Sequence, residues 1–341
     1  MIYKDILLHN VSEITPVDGG GFAFHRLPVS VEATMSEQGQ RMNRFTTGVE
    51  LRFKMISDKV KITLRHVGPP TSSAQVYVYH GSVLGGWDEF TKSIPGGTCR
   101  EIEINKYPRM TMLWEATKAG DYEFSPEIVR LVLPAGTLEL CDVEGEFEPP
   151  LPEDMPKETY LAYGSSITNG SLALNMPSTF TTVVGEHFRV DVRNLGFASS
   201  AKLERAVADE IAAMGERGEW SFATLCMGIN VLRIEESDFA ERVDYMIRAV
   251  AGRNPDKHIF CISPFLCEDD MEGSDIPTTF RRVVKEAVEN YGSYMVHYVD
   301  GLSLMGTSAG LSGDLTHPSP IGIRMISDGL IRAISEYIPA K

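Results

Sequence analysis

The chain has 341 residues, of which 43% are hydrophobic, and a formal net charge of −15. This length and apolar content exceed what one typical domain needs, so we expect two domains. An acidic balance without a basic cluster argues against nucleic-acid binding, which rests on neutralising phosphates. No apolar run approaches 18 residues, so no membrane-spanning helix is expected.

The N-terminus and the cysteines favour a cytoplasmic protein. Residues 1–9 lack the charged start, long apolar core and small-residue cleavage site of a signal peptide. The five cysteines are odd in number and scattered, and Cys141, Cys226 and Cys261 lie in apolar, strand-like runs. Reduced structural thiols are the expectation there. A mature secreted form without its leader stays open as an alternative.

The first half of the chain is predicted to form an all-β, jelly-roll-like sandwich over residues 1–148. Apolar and polar residues alternate in short runs that Gly, Pro, Asp and Ser separate, with no helical pattern between them. The Pro-rich acidic stretch that follows predicts a linker at residues 149–157. The alternating runs are 49–55, 60–65, 74–79, 99–104, 128–133 and 137–141.

Residues 158–341 are predicted to form an α/β domain around a doubly wound, five-stranded parallel sheet of the flavodoxin-like kind. Apolar strands alternate there with amphipathic helices, which is typical of a parallel sheet covered on both faces. Ligands of such sheets bind beyond the carboxyl ends of the strands. The predicted strands are 159–162, 190–195, 222–227, 258–262 and 294–299, and the predicted helices lie near 177–187, 203–215, 238–252, 278–291 and 321–337.

The turn after the first of these strands offers a candidate nucleophile, Ser166. It follows Gly164 and Ser165, and a small-residue turn of this kind can hold a serine exposed above a parallel sheet. A serine hydroxyl attacks well only when a base takes its proton. Serines in such turns also serve as ordinary turn and helix-capping residues, which is the alternative interpretation.

A candidate base lies near the other end of the chain. Asp314 and His317 are three residues apart in a loop before the last predicted helix, so the carboxylate can turn back and hold the imidazole tautomer. An ordinary turn before Pro318 is the alternative. His297 and Asp300 share this spacing, but positions three apart on a strand face opposite sides of a sheet, which makes that pair the weaker candidate.

Two further strand ends carry residues suited to an oxyanion. Gly196 follows the second α/β strand, and a glycine allows its N–H to approach a ligand closely. Asn230 follows the third strand, where a side-chain amide can donate to a developing negative charge. Taken singly, both are common turn residues.

Ser166, Gly196, Asn230 and the late pair Asp314 and His317 follow one another in an order that resembles the SGNH hydrolase superfamily, also called the GDSL esterases and lipases. The resemblance covers roughly residues 158–341. It implies that Ser166 is the nucleophile, His317 the general base and Asp314 its orienting group. It also implies an oxyanion hole of the Ser166 N–H, the Gly196 N–H and the Asn230 side chain, and neither a metal nor an organic cofactor.

Two positions depart from the family pattern. Ser165 stands where the Gly-Asp-Ser-Leu motif has its acid, which removes a carboxylate beside the nucleophile. Val231 follows Asn230, where many members carry Asp. The first departure leaves the predicted nucleophile in place but changes the polarity beside it, and the second bears on the subfamily.

A β-sandwich joined to such a hydrolase is similar to the two-domain carbohydrate esterases, including acetyl-xylan esterases and the family 2 type. The expected substrate is therefore an O-acetyl ester on a small molecule or oligosaccharide, and a homo-oligomer is a further expectation. A broader short-chain esterase, lipase or thioesterase is the alternative, and a carbohydrate-binding protein with a vestigial site is another. Trp87, Trp114 and Tyr163 are candidates for a sugar-stacking surface, although core and rim positions are commoner for aromatics.

Overall fold

The computed structural model describes residues 1–87, 89–118 and 122–340. Their contacts group the chain into two compact units, residues 1–29 with 43–157 and residues 30–42 with 158–341. Residues 30–42 lie inside the predicted first domain, yet they group with the second half of the chain. They carry most of two short helices, α1 (Val29–Glu32) and α2 (Glu37–Asn43).

The first unit contains two antiparallel sheets. One has the order β1-β2-β5-β11-β7-β8, with β13 also paired to β5 and β9 to β7, and the other has the order β10-β6-β12-β4-β3. The strands of the described residues are β1 (Ile2–Tyr3), β2 (Ile6–His9), β3 (Glu13–Pro16), β4 (Phe22–His25), β5 (Glu50–Met55), β6 (Lys59–His66), β7 (Ser73–His80), β8 (Val83–Leu84), β9 (Thr91–Pro95), β10 (Cys99–Asn105), β11 (Ile128–Val132), β12 (Leu138–Glu144) and β13 (Phe147–Glu148), with helix α3 (Pro108–Lys118) between β10 and β11.

The predicted β-rich fold of this unit is confirmed, and its alternating sequence pattern explains the packing. In β6, every second side chain is buried, because successive residues of a strand face opposite sides of the sheet. The buried side chains of both sheets form one apolar cluster, to which β5 contributes Leu51 and Phe53 and β6 contributes Ile62 and Leu64. Such a shared core defines a sandwich.

The predicted linker, residues 149–157, packs within the first unit. It contains a short 3-10 turn, Pro152–Asp154. Lys54 Nζ lies 2.6 Å from Asp154 Oδ2, and the backbone N–H of Ser125 donates to the Asp154 carbonyl at 2.8 Å. The segment is therefore held by hydrogen bonds and an ion pair.

The second unit contains the predicted five-stranded parallel sheet, which is confirmed in order β15-β14-β16-β17-β18. All its pairings are parallel. Its strands are β14 (Thr159–Gly164), β15 (Asp191–Gly196), β16 (Phe222–Cys226), β17 (Ile259–Ile262) and β18 (Val296–Val299). The central strands are apolar along their length, as expected for a sheet covered on both faces, and every residue of β17 is buried.

Helices connect these strands close to the predicted positions. Helices α5 and α11 pack together, and α6, α7 and α9 form a second group. Side chains fix several helix starts: Thr179 accepts from the N–H of Thr182 before α5, and Ser319 accepts from the N–H of Gly322 before α11. The described helices of this unit after α1 and α2 are α4 (Ser166–Asn169), α5 (Phe180–Phe188), α6 (Arg205–Glu216), α7 (Glu236–Arg253), α8 (Glu268–Met271), α9 (Ile276–Glu289), α10 (Gly301–Leu304) and α11 (Pro320–Ser335).

The strand order determines which loops meet. Strand β14 lies between β15 and β16, so the carboxyl ends of these three strands are adjacent. The segments that follow them carry Ser166, Ser199 and Asn230. A ligand site is expected where such loops converge.

Candidate active site

Ser166 is the first residue of α4, immediately beyond the end of β14. A Cβ atom on Gly164 would lie 2.2 Å from Thr168 Oγ1, so only glycine allows this tight passage from strand to helix. The side chain of Ser165, at the position of the family's acid, accepts a hydrogen bond from the N–H of Ile167 and caps the helix. Ser166 is 8% exposed, so its hydroxyl lies in a largely enclosed position.

Ser166, His317 and Asp314 form a continuous hydrogen-bonded chain. His317 Nε2 lies 2.7 Å from Ser166 Oγ, and His317 Nδ1 lies 2.7 Å from Asp314 Oδ2. Because a carboxylate only accepts, the imidazole proton belongs on Nδ1, and neutral Nε2 is left to accept from the serine hydroxyl. The structure therefore brings Ser166 together with His317, although the sequence separates them by 151 positions.

The carboxylate of Asp314 is held by several donors in the same loop. Its Oδ1 atom accepts from the Ser312 hydroxyl at 2.8 Å, the Thr316 N–H at 3.0 Å and the His317 N–H at 2.9 Å. Burial acts to raise the pKa of Asp314, but these hydrogen bonds and that of the His317 ring hold it well below its usual range. Asp314 is therefore an anion throughout the neutral pH range. No motif in the sequence indicated this role for Ser312.

Gly196 has a packing role that differs from the predicted one. Its N–H donates to Asn194 Oδ1 at 2.8 Å, so it does not stand free for an oxyanion. A Cβ atom at Gly196 would lie 2.2 Å from the backbone nitrogen of Asn169. The glycine is thus required because the end of β15 packs directly on the backbone of α4, and this corrects the predicted role of its N–H.

Ser199, a few residues further on, lines the cavity beside Ser166. Its φ of +56° places it in the left-handed region, which turns the loop sharply at this point. Within the described part of the chain no backbone carbonyl accepts from its N–H. The clue in the sequence is the run of small residues after Gly196, but no sequence pattern tells which of their N–H groups faces the cavity.

The side chain of Asn230 also lines this cavity. Its Oδ1 atom accepts from the N–H of Ala201 at 3.1 Å, which fixes the orientation of the amide and leaves Nδ2 as the donor. Gly228, whose φ is +117°, provides the turn between β16 and Asn230. Asn230 therefore lies on the same cavity as Ser166, and its role as an oxyanion donor stays a prediction.

The cavity in front of Ser166 has a volume of about 310 Å³ and a polar wall. Arg233 Nη2 pairs with Asp269 Oδ1 at 2.7 Å on this wall. Burial raises the pKa of the Cys267 thiol to about 11, so this thiol is a packing residue and no nucleophile. The residues around the cavity are Ser166, Ser199, Ile229, Asn230, Leu232, Arg233, Cys267, Glu268, Asp269, Thr316 and His317.

The weaker candidate pair, His297 and Asp300, is not a pair in the structure. His297 Nε2 shares a hydrogen bond of 2.8 Å with His258 Nδ1, and its ring lies against that of Tyr337. Asp300 caps α10 by accepting from the N–H of Leu302. Burial, reinforced by the neighbouring His258, lowers the pKa of His297 to about 4.

The three aromatic candidates for sugar stacking lie in different environments. Tyr163 is 1% exposed, and its hydroxyl accepts from the N–H of Leu203. Trp114 is half-buried, with Nε1 donating to the carbonyl of Pro126 at 2.9 Å. Trp87 is 90% exposed. Of the three, only Trp87 presents its ring to solvent.

Other kinds of site are not found within the described ranges. No cluster of three or more His, Cys, Asp or Glu side chains in them is arranged to hold a metal ion. None of the helices seen there is both long and apolar enough to cross a membrane. The five cysteines are free thiols.

Comparisons with known proteins identify the second half of the chain. The model of the GDSL-like lipase/acylhydrolase family matches residues 157–335. A search of curated proteins finds no significant match.

Several solved structures share the fold of both halves. Salicylyl-acyltransferase SsfX3 from a tetracycline biosynthetic pathway has a TM-score of 0.79 at 20% identity, over 99% of this chain and 96% of that chain. A family two carbohydrate esterase from Clostridium thermocellum, in complex with cellohexaose, has a TM-score of 0.58 at 14% identity, over 84% and 91%. The acetyl xylan esterase Est2A from the rumen bacterium Butyrivibrio proteoclasticus has a TM-score of 0.56 at 12% identity, over 98% and 96%.

Proposed function

The chain belongs to the GDSL-like lipase/acylhydrolase family, and on that premise we propose that it is a serine esterase that removes small acyl groups, acetyl foremost, from carbohydrate hydroxyls. The observation that carries the proposal is the chain of two 2.7 Å hydrogen bonds from Asp314 through His317 to Ser166. A serine is activated at neutral pH when a base contacts its hydroxyl and an anion orients that base. The family makes the protein a carboxylic ester hydrolase.

In the first step, Ser166 Oγ attacks the ester carbonyl carbon while its proton passes to His317 Nε2. Asp314, kept ionised by its hydrogen bonds, stabilises the imidazolium that forms. The tetrahedral intermediate then collapses as the bond to the alcohol oxygen breaks. His317 gives its proton to that oxygen, so the alcohol leaves neutral and the acyl group remains on Ser166.

The second step repeats this chemistry with water. His317 takes a proton from a water molecule, whose oxygen attacks the acyl carbon. When the second tetrahedral intermediate collapses, the bond to Ser166 Oγ breaks and the proton returns from His317 to the serine. The carboxylic acid leaves, and the enzyme is restored.

The negative oxygen of both intermediates needs donors beside Ser166. We assign this role to the N–H groups of Ser166 and Ser199 and to Nδ2 of Asn230, with Ser199 replacing the predicted Gly196. Ser199 and Asn230 line the same cavity as Ser166, whereas the Gly196 N–H is bonded to Asn194. Donors fixed before the reaction stabilise a developing oxyanion without reorganising.

The cavity supports a small acyl group and a polar alcohol. Its volume, about 310 Å³, is at the lower end for ligand pockets. Arg233, Glu268 and Asp269 bring charged groups to its wall, which suit the hydroxyls of a sugar better than a long alkyl chain. The similar folds of a carbohydrate esterase and an acetyl xylan esterase support the same substrate class.

Transfer of the acyl group to an alcohol in place of water is a second candidate function. The fold similarity to a salicylyl-acyltransferase extends over 99% of this chain, across both units, and favours it. The two activities share the first step and differ only in the acceptor that attacks the acyl-enzyme.

The test compares wild type with Ser166→Ala on p-nitrophenyl esters from acetate to long chains, followed by acetylated xylo-oligosaccharides. We expect turnover that is highest on acetate and absent in Ser166→Ala. Ser171→Ala, at a half-buried serine shortly after α4, is the matched control and should keep its activity. Retained turnover in Ser166→Ala would overturn the proposal. Addition of a sugar alcohol acceptor distinguishes transfer from hydrolysis, because transfer yields a new ester.

A further inference from the structure

Residues 30–42 bring a helix from the first part of the chain into the unit that carries the candidate active site. On this helix, α2, the side chain of Gln38 donates from Nε2 to the carbonyl oxygen of Ala198 at 3.3 Å. Ala198 directly precedes Ser199, which lines the cavity. The contact therefore reaches the loop that carries a proposed oxyanion donor.

The Ala198 carbonyl and the Ser199 N–H belong to the same peptide group. Because a trans peptide is planar, its C=O and N–H point in opposite directions, and no peptide in the described part of the chain is cis. A donor that holds the carbonyl from one side therefore fixes the N–H on the other side. The hydroxyl of Ser200 also donates to the Ala198 oxygen, at 3.2 Å, so two donors restrain this peptide.

Arg41 fixes which end of the Gln38 amide faces the loop. It lies one turn further along α2 and donates to Gln38 Oε1. Since Arg41 has only donors, the amide oxygen must face it, and the amide nitrogen is then turned to Ala198. The direction of the Gln38 hydrogen bond is thus determined by its neighbour.

We infer that Gln38 is a positioning residue for the oxyanion hole. Its side chain holds the Ala198–Ser199 peptide so that the Ser199 N–H faces the acyl oxygen. The inference rests on the proposed function. It gives residues 30–42 a part in the reaction, although none of them touches the substrate in this role. A residue of this kind acts on the rate of the chemical step more than on binding of the ester.

The test uses two substitutions on the same helix. Gln38→Ala removes the donor to Ala198. Gln40→Ala is the matched control, because Gln40 Nε2 donates at 3.1 Å to the carbonyl of Met35, away from the loop. With p-nitrophenyl acetate, we expect kcat of Gln38→Ala to fall about three- to tenfold, in line with one neutral hydrogen bond, and KM to stay within about twofold. Gln40→Ala should keep both constants.

A second readout separates positioning from a general loosening of the fold. Phenylboronic acid adds to a serine nucleophile and places a negative oxygen in the oxyanion hole, so Gln38→Ala should bind it more weakly by a similar factor. Gln38→Glu keeps the side-chain length but has no donor, and it should behave like Gln38→Ala. Unchanged kcat and boronate affinity in Gln38→Ala, or equal losses in Gln40→Ala, would overturn the inference.

Failure of the proposed function gives a different result. If Ser166→Ala abolishes hydrolysis and Gln38→Ala has wild-type kcat, the proposed role of Gln38 is contradicted and the serine mechanism is not. If Ser166→Ala hydrolyses the ester as wild type does, the serine mechanism falls, and the role of Gln38 falls with it.

Discussion

Ser312 donates its hydroxyl to Asp314, the carboxylate that orients the proposed base, at 2.8 Å. The backbone of Ser312 is itself held opposite His317, because its N–H donates to the His317 carbonyl at 2.8 Å. One serine therefore pairs with both ends of the Asp314–His317 segment. Since Oδ1 of Asp314 is occupied by Ser312 and two backbone donors, Oδ2 is the oxygen that remains for the imidazole.

Removing this hydroxyl should lower the rate of catalysis modestly. We expect kcat of Ser312→Ala to fall about two- to tenfold, because one neutral hydrogen bond to the carboxylate is lost while its backbone donors remain. Ser312→Thr keeps a hydroxyl and should retain most of the activity. Steady-state kinetics on p-nitrophenyl acetate checks both. In an Asp314→Ala background, Ser312→Ala should lower kcat little further, because the two residues act as a unit. If Ser312→Ala lowers kcat by the same factor in that background, Ser312 does not act through Asp314.

Asn230→Ala should reduce turnover strongly without harming the fold. Loss of one oxyanion donor typically costs about a hundredfold or more in kcat, and the Asn230 side chain lines the cavity. The expected result is a large fall in kcat with KM little changed, and a melting temperature close to wild type. Near-wild-type kcat in Asn230→Ala would remove this residue from the oxyanion hole.

Gly196→Ala, in contrast, should mainly lower the stability of the fold. A new methyl group would meet the Asn169 backbone nitrogen at 2.2 Å, so either β15 or α4 must shift. Overpacking of this kind typically costs about 1–3 kcal/mol of unfolding free energy. We expect a clear loss in the denaturant midpoint, measured by circular dichroism. A Gly196→Ala protein with wild-type stability and a specific loss of kcat would instead restore the oxyanion role to Gly196.

The comparison of Gly196 with Ser199 shows what the sequence can and cannot predict. Hydrophobic periodicity predicted the parallel sheet and its helices, because strands such as β17 are buried along their whole length. Ser166 and His317 can be proposed from the sequence because the type of a side chain reveals its chemistry. The direction of a backbone N–H depends instead on φ and ψ. Ser199 has a φ of +56° although it is not a glycine, so its residue type does not reveal this conformation.

The segment 30–42 shows a second limit of the sequence. Its association with the second unit includes the hydrogen bond from Gln38 to Ala198, across 160 positions of the chain. Local periodicity contains no information about such a contact. The sequence pattern therefore places the segment in the predicted first domain, together with its neighbours along the chain.

Ser199→Gly should stabilise the protein and preserve its activity. A non-glycine residue in the left-handed region costs on the order of 1 kcal/mol, which glycine does not incur; a more flexible unfolded chain offsets part of this gain. The backbone N–H is retained, so kcat should stay close to wild type. Ser199→Val keeps the N–H but adds a branched side chain at φ +56° and should lower the melting temperature. Thermal unfolding and kinetics of the two variants test this. A higher melting temperature in Ser199→Val would show that the backbone at Ser199 is not strained.

The His258–His297 pair should make stability fall in mild acid. Burial, reinforced by His258, lowers the pKa of His297 to about 4 in the folded protein, whereas an unfolded histidine titrates near about 6.5. Above the unfolded value both states are neutral at this site, and the pair contributes its full stability. As the pH falls from about 6.5 to about 4, the unfolded chain binds a proton that the folded one does not, so stability is lost over that window. His297→Gln should flatten this part of a melting-temperature profile, while His187→Gln, at an exposed site, should leave its slope unchanged. Parallel profiles for wild type and His297→Gln would show that the acid sensitivity lies elsewhere.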